Sequence, residues 1–532
     1  MVYLVVLEKF SRRKLLIFLI ILLIIQIIYF LLGGLNGTKP TYATLHEFTL
    51  CQSKVDRQWI YDSPEKNCNE EHLEFEREKS WKDFVYVIQL PRITRWFQTL
   101  TSIIVPRIEY DSRVNLSANA ILTYNVRLGY KTDQMFKDLN SEWQLVAESQ
   151  ESRSIQCRPI FHYGTKNKHI PDGYTCEPLA FLELSTLKYP YYLINLQIVD
   201  KNGLSQDIGK LKSFDFVGIH QTEKFTKLWY TLKTMTFPIV LASLIWFCRQ
   251  MKRAQKTYTN LDKLIFLLGL SACILNAPIE WLTLVMPFNG FQIYSEIRQG
   301  FFLTVLLTFW LFFAGEHVVD KSANHGLFSY GKYIVLLWFA SCTLLIFELC
   351  ERGFQLWNPF HSIWSTRVGR NVSLTFLILA GLSSFTYIIC LTVLVVRVFW
   401  NIRSKQGELA AMRRIRRLIY QGAFYRFQFM LLTTILCAII TIVSYYLSQL
   451  DETYWVWNTE KPAKIQYSGA FITGVYGMLN IYVFAILVLF SPVISNVDDM
   501  DELTLASDDG NVMHLTNNQT SAYQMISKAA IS

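Results

Sequence analysis

Apolar positions along the chain fall into eight long runs, and one stretch between the first two runs alternates instead. The runs are Leu15–Leu32, Leu228–Phe247, Leu264–Met286, Phe301–Phe313, Tyr333–Phe347, Leu374–Val396, Phe429–Leu447 and Phe471–Phe490. Most approach the ~20 residues that cross a bilayer as a helix. The fourth and fifth are short and are expected to extend a turn or two into their polar flanks. Between the first and second runs the period is two. Ala120, Leu122, Tyr124, Val126, Leu128 and Tyr130 alternate with Thr123, Asn125, Arg127 and Gly129. Tyr192, Ile194, Leu196 and Ile198 alternate with Leu193, Asn195 and Gln197. Residues 83–90 and 214–221 are further strand candidates. Such alternation marks half-buried antiparallel strands, and a β-sandwich is the simplest way to pair them. The expected fold is a polytopic α-helical membrane protein with eight spans, one N-terminal and seven bundled, carrying an antiparallel β-sandwich outside the membrane. The corresponding segments are 1–14, a first span at 15–34, the β-domain at 35–225, the bundle at 226–492 and a tail at 493–532.

Composition agrees with membrane spans. The 532 residues are 52% hydrophobic and 17% charged, where soluble chains carry about 25% charged residues. Local charge orients the spans, because Lys and Arg collect on the cytosolic side. Lys9, Arg12, Arg13 and Lys14 precede the first span. Arg249, Lys252, Arg253 and Lys256 follow the second, and Arg403, Lys405, Arg413, Arg414, Arg416 and Arg417 follow the sixth. Eight spans put all three groups on one side, so both termini are expected in the cytosol and the β-domain in the lumen. The first apolar run is too long for a signal peptide and is read as an uncleaved anchor.

Cysteines follow the same division. Cys51, Cys68, Cys157 and Cys176 lie in the β-domain, and the other six lie in or beside spans. Four cysteines in an oxidising lumen favour two disulfides. Three pairings are open, of which the sequence-local one, Cys51 with Cys68 and Cys157 with Cys176, is preferred. Asn115, in Asn-Leu-Ser, is the expected glycosylation site. Asn36 and Asn371 also open sequons but sit close to spans.

No His falls within the apolar body of a span, so converging metal ligands at one membrane depth are not expected. HExxH, GxSxG in strand–helix context, P-loop and dinucleotide motifs are also lacking. The chain reads as a non-enzyme without metal or cofactor, and nothing in it suggests nucleic-acid binding.

Ionisable residues within spans are costly and mark candidate sites. Pro278 breaks the third span and frees a carbonyl, which Asn276 is placed to satisfy. Glu280, Arg298, Glu348, Glu351 and Arg352 gather toward the lumenal ends, with Glu348 and Arg352 spaced i, i+4 to pair. Two readings stand side by side: interfacial charges that lock the bundle, or a polar mouth above an apolar cavity. Phe301, Phe302, Phe347, Phe376, Tyr446 and Phe471 lie at the same end, as an interfacial belt or as cavity lining. The loop at 353–370 carries Trp357, Phe360 and Trp364 and is expected to dock on the bundle or on a partner. Gly474 and Gly477 in the last span suit close helix packing. The acidic tail has no apolar period, yet Tyr523-Gln-Met-Ile526 has the form that clathrin adaptors bind.

Specific strings resemble those of the Wntless (Evenness interrupted) family. They include Val217–Gln221 with Phe225, Thr226, Lys227 and Trp229; Ile297–Phe301; Gly315-Glu316-His317; Cys350–Gly353; Asn358–Phe360; and Thr473-Gly474 with Tyr476–Met478 and Tyr482–Ala485. The resemblance runs from the first span to the eighth. It implies a Golgi-dynamics-type β-sandwich on a seven-helix bundle like that of G-protein-coupled receptors. It also implies a receptor that carries palmitoleoylated Wnt from endoplasmic reticulum and Golgi to the cell surface, then returns through endosomes with clathrin adaptors and retromer. The acyl chain would enter a lumen-facing bundle cavity among membrane lipids. Two departures stand out: Tyr420–Ala423 lacks the bulky end of the family's loop signal, and Ala529–Ser532 replaces the vertebrate retrieval signal. A signalling receptor and an acyl-modifying membrane enzyme are the rival functional classes.

Overall fold

The computed structural model describes residues 2–9, 12–35, 39–52, 59–60, 68, 84–111, 116–117, 120–137, 142–160, 173–199, 208–254, 259–286, 288, 290–318, 328–363, 366–409, 427–443, 445–446 and 467–495. A short strand, β1 (Val2–Val5), precedes the first long helix, α1 (Arg12–Leu35). Eleven strands follow, ending in β12 (Lys210–Gln221), which leads after one residue into the bundle.

The β-domain has two antiparallel sheets. One runs β3 (Thr49–Gln52), β4 (Phe84–Gln89), β11 (Tyr191–Ile198), β6 (Ile121–Lys131), β7 (Gln144–Ser154). The other runs β2 (Thr41–Glu47), β12, β5 (Leu100–Glu109), β9 (Gly173–Cys176), β8 (Cys157–Ile160), with β10 (Leu179–Leu184) also paired to β5. Alternation positions the core: Leu122, Tyr124, Val126 and Leu128 on β6 and Tyr192, Ile194 and Leu196 on β11 pack with Phe181, Phe214 and Phe216 of the opposite sheet. The second face of β11 departs from the alternating pattern. Leu193 and Asn195, expected outside, are buried, and Leu193 packs with Trp59 and Trp143. Two indoles cover that face, so both sides of β11 are shielded from water. Disulfides join Cys51 to Cys68 and Cys157 to Cys176, the second across directly paired residues of β8 and β9.

The bundle comprises α2 (Glu223–Arg253), α3 (Asn260–Asn276), a short α4 (Trp281–Val285), α5 (Phe291–Val318), α6 (Phe328–Trp357), α7 (Arg367–Leu409), α8 (Phe427–Val443) and α9 (Tyr467–Leu489). Among the described residues seven helices, with α1 counted and α3–α4 taken together, are long and apolar enough to cross a membrane, and α8 is a shorter apolar helix. α3 starts with a reciprocal cap in which Thr259 Oγ1 accepts from the Asp262 amide and Asp262 accepts from the Thr259 amide. The third span, Leu264–Met286, is broken at Pro278, as expected. Pro278 lacks an amide proton and forces Ala277 into extended backbone (φ −54°, ψ 124°), which ends α3. α5 and α6, the fourth and fifth spans, are far longer than Phe301–Phe313 and Tyr333–Phe347. Their added turns contain Glu296, Arg298, Glu348 and Arg352, because these side chains find partners within the protein.

α1 is docked against the bundle along α9. Gln26 Nε2 donates to the Gly474 carbonyl at 2.9 Å, Thr473 Oγ1 donates to the Tyr29 carbonyl at 2.8 Å, and Tyr29 meets Thr236 of α2 at 2.7 Å. Small residues allow this approach: a Cβ on Gly474 would lie 2.2 Å from the Phe30 ring, and one on Gly477 would lie 2.3 Å from Tyr29. At the end of α1 away from the β-domain, β1 pairs with β13 (Pro492–Ser495), which follows α9 directly. Neither strand was apparent in the sequence.

Gly477→Val should therefore cost about 1–3 kcal/mol of stability through overpacking. Thermal melting of the purified protein in detergent measures this, and an unchanged midpoint would mean that α1 does not pack on α9 at this site.

Candidate functional site

The bundle end that faces the β-domain holds two polar clusters, one on each side of α5. The first forms at the break between α3 and α4. Glu280 Oε1 accepts from Lys233 Nζ of α2 at 2.5 Å and from Arg298 Nη2 of α5. Arg298 Nη1 also donates to the carbonyls of Ala277 (3.1 Å) and Ile274 (3.4 Å). Backbone groups inside a bundle must find internal partners, and here the guanidinium supplies them. This corrects the expectation for Asn276, whose amide donates to the Ala272 carbonyl at 2.8 Å and to Asn480, while its Oδ1 accepts from the Tyr476 hydroxyl. Asn276 thus ties α3 to α9. Lys233 and Arg298 are each 3% exposed, so two buried cations share one carboxylate and the cluster keeps one formal positive charge. Sequence reading missed Lys233. The signal was present: a lone Lys within an apolar run, one turn from Trp229, whose ring lies 5.3 Å from the ammonium.

The second cluster centres on Arg352 of α6. Its guanidinium is bonded to Glu183 of β10 and lies 3.1 Å from Gln355 Oε1. Gln355 donates to the other Glu183 oxygen at 2.8 Å. Glu296 of α5 is 3.5 Å away, and Glu348, the expected partner, is the most distant at 3.9 Å. The i, i+4 pair is therefore secondary to a bridge between domains. Among the described residues Glu351 makes no ion pair. The five residues read as one mouth thus divide: Glu280 and Arg298 sit on one side of α5, and Arg352 with Glu348 on the other.

The loop between α6 and α7 docks on the β-domain, which was not among the two destinations expected for it. Phe360 is 1% exposed within the sandwich core, its ring 5.8 Å from Phe181 of β10. Around it, Arg153 of β7 donates to the Phe360 carbonyl at 2.7 Å, and the Glu183 amide to the Pro359 carbonyl at 2.8 Å. Asn358 donates to Ser149 at 3.0 Å and Glu151 at 3.2 Å. The loop closes the gap between β7 and β10, which belong to different sheets. Trp357 points outward, fully exposed; Trp364 lies outside the described residues.

A second seam lies at a single helical turn, Arg95–Phe97. Arg95 donates to the Leu284 carbonyl at 2.8 Å. Thr226 of α2 donates to the Trp96 carbonyl at 2.8 Å, and Tyr230 donates to Gln98 Oε1 at 2.7 Å. Trp96 packs edge-on against Trp281 at 6.2 Å.

The aromatic residues expected to line a cavity do not share one surface. Phe302 is buried in the bundle core with Val305 and Phe309. Phe301 packs on Trp338 and Phe471 on Tyr445. Phe347 and Phe376 are half-buried, and Tyr446 is exposed. An apolar groove of about 550 Å³ lies elsewhere, between Pro238, Ile239, Ala242 and Trp246 of α2 and Phe484 and Val488 of α9. Asn115, Tyr523 and Ile526 lie outside the described residues.

Glu280→Gln should cost about 3–5 kcal/mol, because it leaves two buried cations without a counter-charge. Glu348→Gln, at a partly exposed carboxylate, should cost under about 1 kcal/mol. Phe360→Ala should cost about 3–5 kcal/mol and loosen the β-domain from the bundle. Thermal melts rank the three, and equal midpoints for the two Gln variants would refute the assignment of Glu280 as the shared counter-ion.

The chain matches the Wntless GOLD domain family over residues 49–221 and the Wntless-like transmembrane domain family over residues 222–493. It is 34% identical to the protein wntless homolog of Gallus gallus, over 97% of this chain and 96% of that one. It is 32% identical to the protein wntless homolog of Homo sapiens, over the same shares. Protein wntless of Drosophila grimshawi is 34% identical over 92% of this chain and 89% of its own. With two domain matches that meet where β12 passes into α2, and relatives aligned over nearly their whole length, the chain belongs to the Wntless family.

Proposed function

We propose that this chain is a transport receptor for lipid-modified Wnt rather than an enzyme. It binds Wnt in the secretory pathway, carries it from endoplasmic reticulum and Golgi to the cell surface, and returns through endosomes. The observation that carries this reading is the pair of family matches over β-domain and bundle. The β-domain and the polar end of the bundle face the lumen, with both termini in the cytosol. Two disulfides in the β-domain suit an oxidising compartment, and β1 pairs with β13, just after α9, at the opposite side.

The cargo's palmitoleoyl chain needs shelter from water, since burying each methylene is worth ~0.8 kcal/mol. Its sixteen carbons therefore represent on the order of 10 kcal/mol before ordering costs. The bundle receives this chain in a cavity open toward the β-domain, while the β-domain holds the protein part. Glu280, Arg298, Glu348, Glu351 and Arg352 flank that entrance in this reading. In the present conformation Arg298 and Arg352 each bond elements together there, so the entrance widens only as those bonds rearrange. Clathrin adaptors meet the tail at Tyr523–Ile526, and retromer returns the receptor.

Wnt should co-purify with this protein from co-expressing cells, and Wnt with its acylated serine replaced by alanine should co-purify at least ten-fold less. Equal recovery of both forms overturns the acyl-chain reading alone. Recovery of neither overturns the cargo assignment.

A further inference from the structure

A second pocket of about 440 Å³ lies where β-domain and bundle join, lined by Tyr42, Phe97, His220, Thr222, Glu223, Lys224 and Lys227. Its height follows from α2. This helix has 31 residues, roughly 46 Å at 1.5 Å per residue, against a hydrocarbon thickness of ~30 Å. The apolar run begins at Leu228, so Lys224 and Lys227 sit just outside the hydrocarbon, at the level of lipid headgroups.

The pocket has two chemically distinct halves. One is a wall of π faces: His220 stacks on Phe97 at 4.1 Å and lies 5.9 Å from Tyr42, its cross-strand neighbour. Burial holds the His220 imidazole below its ordinary value, so the wall carries no charge at neutral pH. The other half is cationic. Lys227 is neutralised by Glu223 at 2.7 Å, but among the described residues Lys224 has no ion-pair partner. The Thr222 side chain makes no cap to the first turn of α2, and its hydroxyl donates to the Lys39 carbonyl at 2.6 Å.

We propose that this pocket binds the phosphocholine headgroup of a glycerophospholipid from the adjoining leaflet. Lys224 takes the phosphodiester, and the exposed ring of Tyr42, beside the His220–Phe97 stack, takes the trimethylammonium. Quaternary ammonium groups are attracted to aromatic faces, and a lipid at this height presents its phosphate beside Lys224. The site requires only that α2 crosses a bilayer and is independent of the cargo reading.

Native mass spectrometry of the delipidated protein in detergent, titrated with single lipids, tests this. Phosphatidylcholine should bind more tightly than phosphatidylglycerol, which has the phosphate without the ammonium. Tyr42→Ala should remove that preference, weakening phosphatidylcholine about three-fold, as expected for one exposed cation–π contact. Tyr42→Phe should keep it. Lys224→Gln should weaken both lipids about five-fold, and Lys263→Gln on α3 should change neither. Tyr42 is 43% exposed on an edge strand, so its replacement leaves the core intact. Equal binding of the two lipids, or an unaltered preference in Tyr42→Ala, overturns the proposal. Free phosphocholine or inorganic phosphate binding as tightly as the lipid overturns the lipid source.

Discussion

The ladder between β2 and β12 decides how the two halves of this molecule sit. Thr41 pairs with Gln221 and Tyr42 with His220, at the last residues of the domain before membrane helices begin. The Thr222 amide then bonds the Pro40 carbonyl at 2.9 Å. The chain therefore enters and leaves the β-domain side by side, and α2 starts without slack. α1 must descend next to α2, where Tyr29 reaches Thr236 and the bare faces of Gly474 and Gly477 admit Tyr29 and Phe30. At the far end β1 pairs with β13 and fixes α1 again. A helix that reads as a lone tether is thus clamped by two antiparallel ladders and by small residues between them.

Buried charge works within that frame. Two cations and one carboxylate at 3% to 14% exposure carry a large desolvation cost. The cluster persists because each partner meets a second need. Arg298 satisfies the carbonyls left by the break at Pro278, Glu280 is the counter-charge that Arg298 and Lys233 share, and Lys233 rests against the Trp229 ring. A Leu at 298 would remove the desolvation cost but leave the Ala277 carbonyl bare in an apolar bundle. The charge is the consequence of breaking a helix where water is absent.

Much of this was legible in the sequence, because periodicity is a local property. The strand at residues 120–130 buries the face its alternation marks, seven of the apolar runs each correspond to one helix, and the third to α3 and α4. What was not legible depends on distant segments meeting. Leu193 read as part of an outer face until Trp59 and Trp143 cover it. Asn276 read as the partner of the nearest broken carbonyl, yet the longer reach of Arg298 takes that role from another helix. Glu348 and Arg352 have ideal helical spacing, but Glu183, far away in sequence, presents its carboxylate more closely. Phe360 read as a loop aromatic, and only the gap between β7 and β10 makes it core. For the site, the residue types were legible and their grouping was not, since α5 separates them.

That separation has a mechanical consequence. Glu296 and Arg298 are two positions apart on α5, about 200° around the helix, so they face opposite neighbours. Arg298 binds the α3–α4 break, whose α4 carbonyls are held by Arg95 of the β-domain. Glu296 faces Arg352, which is held by Glu183 of the same domain. The β-domain therefore grips the bundle on both sides of α5, once through a backbone-directed guanidinium and once through an ion pair beside the buried Phe360. A load on the β-domain that spread α4 from α6 would have to strain both seams at once. The two seams thus tie α4 and α6 to one β-domain, so neither helix end shifts against α5 without straining a contact that the β-domain makes.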